Sequence, residues 1–358
     1  MSSAPIAMAQ PWIGPEEQAA VASVLASGRL SDGPWTHCFE GAFAAAQRAS
    51  QAVAVSTGTA AVALALQAHG IGPGDDVVLP SLTFLASATA VLAIGARPVF
   101  ADVDPVTHCV GVEQAAAAIT PATRAVLAVH LHGLPAHLAP LRDWCAARGV
   151  VLVQDAAQAI GATYDDAPVG AFGTAAFSLY ASKNITTGEG GMVVTDDAII
   201  ADRLRTLRSH GIVEVEGQAP ARGTNARLPE VAAAIGVHQL ERLARWQERR
   251  QEIATRYLAG LRDHPRLTPL GTDPRAVSSW HHLTVRVPDG RDALAAHLVA
   301  DGIDARCYYD RLAHDRLGLA ARLPVSEQAA AQALSLPLHP HLSDDDVARV
   351  IDRITTWC

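Results

Sequence analysis

Lysine is almost absent from this sequence: Lys183 is the only one among its 28 lysine and arginine residues. We attribute the general preference for arginine to the base composition of the gene. Arginine easily replaces a surface lysine, because both side chains carry a positive charge. It cannot replace a lysine that must lose its proton and attack a carbonyl group. The one retained lysine therefore predicts a chemical role for Lys183.

Several features that would define other classes of protein are also missing. The five cysteines are scattered and form no C-x-x-C pair, which favours a reduced, cytoplasmic protein. The formal net charge is -8 and no basic run occurs, which argues against a nucleic-acid partner. We see no signal peptide at the start, and the apolar stretches are too short to span a bilayer, so we expect no membrane partner.

Two kinds of ligand-binding motif are absent as well. Neither G-x-x-x-x-G-K-[ST] nor G-x-G-x-x-G occurs, so the usual nucleotide-binding fingerprints are missing. Histidines cluster in "HLHGLPAH" and "LHPH", but no cysteine or carboxylate pattern accompanies them. Because 15 histidines form such clusters by chance, we expect no metal site.

From about residue 50, short apolar runs alternate with longer helical stretches. The apolar runs are "AVAV", "DVVLP", "RPVFADV", "RAVLAVHLHG" and "VVLVQD". Continuous apolar strands between helices predict an α/β fold with a mainly parallel sheet covered on both faces. Ligands bind such sheets at the C-terminal ends of the strands. The loops after "AVAVS", after "VVLVQ" and before Lys183 should therefore face one site.

The C-terminal third of the chain has a different pattern. We predict a long helix from about Pro229 to Leu261, with its arginines and glutamates on a solvated face. Beyond it, "WHHLTVRV", "RDALAAHLVADG" and "IDARCYY" predict strand, helix and strand, and "PVSEQAAAQALSL" and "SDDDVARVIDRITTW" predict two further helices. These elements indicate a small α+β domain over residues 245–358, after a large domain over residues 1–244.

A single lysine without a metal is typical of enzymes that bind an aldehyde as a Schiff base. Pyridoxal phosphate (PLP) is the usual aldehyde, and its site also needs a phosphate cradle and an acidic partner for the pyridine nitrogen. In "VSTGTAAV" a helix begins near Gly58, where backbone N–H groups and the Thr59 hydroxyl can bind phosphate. Asp155 ends an apolar strand, and Gln158 is close enough to reach the ring hydroxyl. Ordinary helix caps are the alternative interpretation of both stretches.

Eight stretches, in this order, resemble the DegT/DnrJ/EryC1/StrS family of PLP-dependent aminotransferases, which act on keto-sugars attached to nucleotides. They are "STGTAAVALAL", "LPSLTFLASATAV", "PVFADVDP", "QDAAQAIGATY", "FSLYASKNITTGEGGMVVT", "LRSHG", "GTNARLPEVAAAIGVHQLERL" and "LSLPLHP". The resemblance covers almost the whole chain. It implies the aspartate-aminotransferase type of fold (fold type I), with residues 1–244 binding PLP, and a homodimer with shared active sites.

The resemblance also implies roles for individual residues. Lys183 resembles the Schiff-base lysine and Asp155 the partner of the pyridine nitrogen, and these two are the expected catalytic residues. The expected cofactor-binding residues are Thr57, Gly58, Thr59, Phe84, Asp155, Gln158, Ser178, Lys183 and Asn225. Phe84 resembles the aromatic residue that stacks on the cofactor ring, although an apolar aromatic residue alone indicates the core. Asn225 resembles an asparagine that reaches the phosphate from the partner subunit.

The sequence departs from the family at two positions near the substrate. Ala226 stands where the family often has an aromatic residue, and His132 stands where it often has tyrosine. These two departures leave the identity of the sugar substrate undetermined. "KNITTGEGGM" is more like the members that aminate carbon 4 than those that aminate carbon 3. The candidate substrate contacts are His132, His210, Arg227, Arg306, Tyr308 and His314.

The expected reaction moves an amino group from L-glutamate, or glutamine, to a keto-sugar. A nucleotide-linked 4-keto-6-deoxy sugar is the favoured substrate. The family includes dehydratases in which histidine replaces the lysine, so the presence of Lys183 favours amino transfer. Three alternatives stay open: a keto-cyclitol aminotransferase, a PLP-dependent sugar dehydratase, and a non-catalytic regulatory protein on the same fold.

Overall fold

The computed structural model describes residues 4–212 and 222–357. Its strands are β1 (Gln51–Val55), β2 (Asp76–Pro80), β3 (Arg97–Ala101), β4 (Thr123–Val129), β5 (Val151–Asp155), β6 (Thr163–Tyr164), β7 (Ala167–Pro168), β8 (Thr174–Ser178), β9 (Gly191–Thr195), β10 (Thr268–Pro269), β11 (Ala276–Val277), β12 (Leu283–Arg286) and β13 (Ala333–Leu336). Its α-helices are α1 (Pro15–Ser27), α2 (Pro34–Ala46), α3 (Gly58–Ala68), α4 (Leu85–Ala93), α5 (Val112–Ala118), α6 (Leu138–Ala146), α7 (Ala198–Arg208), α8 (Glu230–Glu241), α9 (Leu243–Leu261), α10 (Arg291–Ala300), α11 (Ala313–Arg316), α12 (Pro324–Gln332) and α13 (Asp344–Thr355).

Seven strands form the central sheet in the order β1-β9-β8-β5-β4-β2-β3. The pairs from β8 to β3 are parallel, whereas β9 is antiparallel to both of its neighbours, β1 and β8. Val78 and Leu79 are neighbours on β2 but belong to hydrophobic cores on opposite faces of the sheet. This alternation explains the continuous apolar runs in the sequence, because both faces of each strand are buried. The predicted mainly parallel α/β fold is confirmed.

The direction of the strands brings the predicted loops to one edge of this sheet. Because β9 is antiparallel to both β1 and β8, those two strands point the same way, and β5 is parallel to β8. Their last residues, Val55, Asp155 and Ser178, therefore lie at the same edge. Helix α3 begins at Gly58, as predicted, and the segment that carries Lys183 follows β8.

The C-terminal part of the chain has a smaller antiparallel sheet with the strand order β10-β12-β13. A separate hydrophobic core covers it, built from residues between Ile253 and Ile354 together with Ile6 from the N-terminal segment. We propose that the domain boundary lies near residue 245, as the sequence indicated, because this core is distinct from those of the central sheet.

Four expectations for the C-terminal part are wrong. The stretch "PVSEQAAAQALSL" is not one helix, because α12 ends at Gln332 and the last four residues form strand β13. The predicted helix from Pro229 to Leu261 is two helices, α8 and α9, which meet at Arg242. The arginines of this segment are not all solvated, since Arg250 is buried and donates hydrogen bonds to the carbonyl groups of Trp280 and Leu338. The stretch "IDARCYY" is not a strand and contributes two isolated bridges, one between Ile303 and Ile6 and one between Arg306 and Ser335.

Cys38, Cys109, Cys145 and Cys307 are free thiols, and Cys358 lies outside the described residues. Across residues 4–212 and 222–357, every helix is too short or too polar to cross a membrane.

Candidate active site

Lys183 lies in the segment between β8 and β9, where its backbone N–H donates to the carbonyl group of Tyr180 at 2.9 Å. The residue is half-buried. Burial lowers the pKa of Lys183 to about 8, while the negative charge of Asp155 acts in the opposite direction. Near neutral pH this side chain has a much larger uncharged fraction than an ordinary lysine, and the uncharged amine is the form that attacks an aldehyde.

Asp155 ends β5 and is buried, with 7% of its surface exposed. One carboxylate oxygen accepts a hydrogen bond from the Ser87 hydroxyl at 2.7 Å, and the other accepts one from the backbone N–H of Ala157 at 3.2 Å. Burial raises the pKa of Asp155, whereas these two hydrogen bonds and the charge of Lys183 lower it. A buried carboxylate of this kind suits a cationic partner such as a protonated pyridine nitrogen.

The start of helix α3 has the features of a phosphate site. Thr57 caps the helix, because its hydroxyl oxygen accepts from the backbone N–H of Ala60 at 3.0 Å. The backbone N–H groups of Gly58 and Thr59 have no acceptor among the described residues, so they can bind an anion at the positive end of the helix. A Cβ atom at Gly58 would lie 2.6 Å from Cβ of Ser178. Glycine therefore lets the Ser178 hydroxyl approach these N–H groups.

Gln158 has a fixed orientation beside this site. Its Oε1 accepts a hydrogen bond from the backbone N–H of His132 at 2.6 Å, and its Nε2 lies 3.3 Å from the hydroxyl oxygen of Tyr309. The amide can therefore present an N–H group to a ring hydroxyl, which is the expected contact. Phe84 is 59% exposed and its ring centroid lies 5.9 Å from that of Tyr309. The alternative of Phe84 as a core residue is thus excluded, and its ring is free to stack on a ligand.

The residues expected near the substrate are not all at the surface. His132 is 1% exposed, and neither nitrogen of its ring has a hydrogen-bond partner in the described parts of the chain. His314 is also buried, and its Nδ1 lies 2.7 Å from the Ser81 hydroxyl oxygen. Both rings are enclosed by protein in this structure, and a direct substrate contact stays a prediction for these two histidines.

The other candidates are more accessible. His210 and Arg306 are exposed, Arg227 is half-buried, and Tyr308 is half-buried with its ring stacked on His282 at a centroid distance of 4.4 Å. Asn225 is exposed, and its side chain forms no hydrogen bond within the described residues. An exposed amide is compatible with the predicted contact to a partner subunit, which stays a prediction.

Four residues at this edge of the sheet were not identified from the sequence: Ser87, His281, His282 and Tyr309. Ser87 binds Asp155, Tyr309 lies beside Gln158 and Phe84, and the charge of Lys183 contributes to the lowered pKa values of His281 and His282. The only available signal for the histidines was their adjacency in "WHHLTVRV", a stretch that otherwise predicts a strand.

These groups fit PLP. A half-buried lysine, a buried carboxylate, an oriented amide, an exposed aromatic ring and a helix start with free N–H groups all lie at one edge of the central sheet. The fold and this set of groups define a PLP-dependent enzyme of fold type I. The family model of the DegT/DnrJ/EryC1/StrS aminotransferases matches residues 11–355. The chain belongs to this family.

Known relatives agree with this assignment. The chain is similar to dTDP-3-amino-3,4,6-trideoxy-alpha-D-glucose transaminase of Streptomyces venezuelae, with 42% identity over 353 residues, which are 96% of this chain and 92% of that protein. Among crystal structures, DesV of S. venezuelae has a TM-score of 0.92 and 42% identity, with 96% of this chain and 94% of that chain covered. The PLP form of Spr1654 from Streptococcus pneumoniae has a TM-score of 0.91 and 28% identity, with 98% of both chains covered. The fold, the PLP cofactor and the aminotransferase class expected from the sequence are confirmed.

Proposed function

We propose that this protein transfers an amino group from L-glutamate, or glutamine, to a keto-sugar linked to a nucleoside diphosphate. The observation that carries the reaction is the pairing of a half-buried Lys183 with a buried Asp155 at the strand ends, where each charge alters the pKa of the other group. Support for the substrate class comes from the Streptomyces venezuelae relative, whose name describes an amino-sugar carried by dTDP.

The relative also bears on the position of the amino group. Its name places the amine on carbon 3 of the sugar, whereas the short stretch "KNITTGEGGM" favoured carbon 4. We give more weight to 42% identity over 353 residues than to ten residues. A sugar with its keto group at carbon 3 is therefore the first substrate to test, and a 4-keto sugar is the second.

Lys183 is the residue that would hold the cofactor at rest. PLP, when bound, supplies an electron sink for the negative charge that develops at the donor's α-carbon. The uncharged amine of Lys183 would accept the α-proton of the donor and later return a proton as an acid. The lowered pKa of Lys183, about 8, makes this amine available near neutral pH.

The other residues hold and orient the cofactor. Asp155 would keep the pyridine nitrogen protonated, with Ser87 fixing one of its carboxylate oxygens. The backbone N–H groups of Gly58 and Thr59, with the Ser178 hydroxyl, would bind the phosphate. Gln158 would contact the ring hydroxyl of PLP, Phe84 would stack on the ring face, and Thr57 would lie beside the phosphate. Asn225 would reach the phosphate of the PLP molecule that is bound by the partner subunit.

The proposed assembly is a homodimer in the cytoplasm. The exposed side chain of Asn225 supports the shared site, because the amide has no partner within its own chain in the described ranges. The four free thiols support a reducing compartment. Sedimentation of the purified protein would test the dimer, and a monomer with full activity would contradict the shared site.

The test of the function is the absorbance spectrum of the purified protein before and after L-glutamate is added. We expect an absorption band from the cofactor bound to Lys183, and its loss when the amino group is transferred. Addition of a dTDP-linked 3-keto sugar should then restore the band, while a 4-keto sugar and an inosose test the alternatives. A protein that stays colourless after incubation with PLP would contradict the role of Lys183. A band that does not respond to glutamate would favour another donor or the dehydratase.

A further inference from the structure

The residue after Lys183 connects the active-site segment to the C-terminal part of the chain. Asn184 is buried, with 5% of its surface exposed. Its Nδ2 donates a hydrogen bond to the carbonyl group of Ser279 at 2.9 Å, and its Oδ1 lies 3.1 Å from Nδ1 of His281. These two bonds join positions that are separated by about a hundred residues in the sequence, so they add a tertiary restraint to the local backbone bond between Lys183 and Tyr180.

The hydrogen-bond chemistry determines which atom donates in each bond. A backbone carbonyl group only accepts, so the NH₂ group of Asn184 must face Ser279. The amide oxygen of Asn184 then faces His281, and Nδ1 of that ring must carry the hydrogen. Burial, together with the charges of His282 and Lys183, lowers the pKa of His281, so the ring is uncharged at neutral pH. The pair therefore has one arrangement in which both hydrogen bonds form.

The same part of the chain contacts the other two active-site loops. We call residues 278–282 the tie segment. The Ser279 hydroxyl donates to the carbonyl group of Gln158 at 2.7 Å, and the backbone N–H of His282 donates to the carbonyl group of His132 at 3.2 Å. A Cβ atom at Gly133 would lie 2.3 Å from the Ser279 hydroxyl oxygen, so this approach requires glycine. The tie segment thus bonds to the loops after β4, β5 and β8 at once.

We propose that Asn184 and His281 are positioning residues for amino transfer, and that their hydrogen bond holds the segment from which Lys183 reaches the cofactor. This inference rests on the proposed function of Lys183. One peptide unit separates Lys183 from Asn184, so a shift of the buried amide moves the lysine as well. A displacement of about 1 Å at a reacting group can lower a rate by about 100-fold.

Four variants test the pair. Asn184→Ala and His281→Leu each remove the hydrogen bond. His281→Asn keeps an N–H donor near the position of Nδ1 and should rescue the effect. Tyr257→Phe is the control, because it removes a different buried hydrogen bond, from the Tyr257 hydroxyl to the carbonyl group of Pro337 at 3.1 Å. If the bond between Asn184 and His281 only stabilised the fold, Tyr257→Phe would resemble the first two variants.

The first measurement is the rate at which saturating L-glutamate removes the cofactor band of the PLP-loaded protein in a rapid-mixing experiment. We expect a loss of about 10- to 100-fold for Asn184→Ala and His281→Leu, recovery of most of the rate in His281→Asn, and no change in Tyr257→Phe. The second measurement is amide hydrogen exchange without PLP, in which residues 179–187 should exchange faster only in the two disrupting variants.

The outcomes separate this inference from the proposed function. Wild-type protein without a cofactor band would contradict the function of Lys183, while faster exchange in Asn184→Ala and His281→Leu would still support the bond as a restraint on the segment. Wild-type rates in the two disrupting variants, with normal spectra, would overturn the positioning role. Equal loss in His281→Asn and His281→Leu would also overturn it, because the donor to Asn184 would then be irrelevant.

Discussion

The hydroxyl group of Ser87 lies 2.7 Å from one carboxylate oxygen of Asp155 and donates a hydrogen bond to it. Ser87 also lies 2.8 Å from the hydroxyl oxygen of Thr83. Since the Ser87 hydrogen points to Asp155, the Thr83 hydroxyl must donate to Ser87. The Thr83 hydroxyl, from the loop before α4, therefore orients the Ser87 hydroxyl on α4. The hydrogen bond from Ser87 in turn opposes the effect of burial on the pKa of Asp155, at the end of β5.

Ser87→Ala should weaken the binding of PLP. The variant removes a hydrogen bond to a charged group, which is worth about 1.5 to 3 kcal/mol, and the pKa of Asp155 should rise further because burial is then less opposed. We expect about a tenfold or larger increase in the dissociation constant of PLP, measured by titrating the cofactor-free protein. Thr89→Ala is the control on the same helix, since among the described residues the Thr89 hydroxyl bonds only to the carbonyl group of Ala86. Equal affinities in Ser87→Ala and wild type would refute the role of Ser87.

Gly58→Ala should impair the phosphate site. The added Cβ atom would lie 2.6 Å from Cβ of Ser178, closer than such atoms approach in proteins, so helix α3 or strand β8 must move. Gly41→Ala is the matched control within a helix, because a Cβ atom there would meet no atom of the described residues within 4 Å. We expect weaker PLP binding in Gly58→Ala, and unchanged binding with slightly higher thermal stability in Gly41→Ala. Unimpaired binding of PLP by Gly58→Ala would show that the two elements need not meet.

Strands β1 to β5 of the central sheet and the positions of Lys183 and Asp155 could be predicted from the sequence because their signals are local. Each of these five strands lies in a short apolar run, and Asp155 directly follows such a run, whereas β9 and its antiparallel pairing were not predicted. The break between α8 and α9 has no local signal, since neither glycine nor proline marks it. Arg242 lies at this break, and its guanidinium group forms an ion pair with Glu16 of α1 at 2.7 Å. A tertiary contact therefore accompanies the break between the two helices.

Burial of polar side chains was the harder part of the site to predict. His132 and His314 are as polar as exposed histidines in the sequence, yet the fold encloses both. Phe84 shows the converse, because its apolar side chain indicates the core while the structure exposes it at the start of α4. The hydrogen bond between Asn184 and His281 depends on the packing of two segments that are distant in the sequence. Hydrophobic periodicity does not predict such a contact.

Acid should destabilise the protein through its buried histidines. Burial lowers the pKa of His132 to about 3, compared with about 6.5 in an unfolded chain. Below pH 6.5 the unfolded chain binds a proton that the folded one does not, so stability that is fully present above pH 6.5 is lost as the pH falls. For one histidine the loss is about 1.4 kcal/mol per pH unit between 6.5 and the folded pKa.

Replacement of His132 should reduce this acid sensitivity. We expect His132→Leu to lose about 2 kcal/mol less than wild type when the pH is lowered from 7 to 5, measured by urea unfolding of the cofactor-free protein. His37→Gln is the control, because His37 is exposed and its ring is in water in both states. Parallel stability curves for His132→Leu and wild type would show that His132 binds its proton equally well in the folded protein.

Lys183→Arg should abolish transamination while leaving the fold intact. The substitution keeps a positive charge beside Asp155, but arginine cannot lose its proton to hold the cofactor or to move the α-proton of the donor. We expect turnover to fall by at least about 1000-fold. Arg124→Lys is the control, because it adds a second lysine at an exposed position. Borohydride treatment, followed by peptide mass spectrometry, should attach PLP to Lys183 in wild type and in Arg124→Lys, and to no residue in Lys183→Arg. Substantial turnover in Lys183→Arg would mean that retention of a single lysine has a cause other than this chemistry.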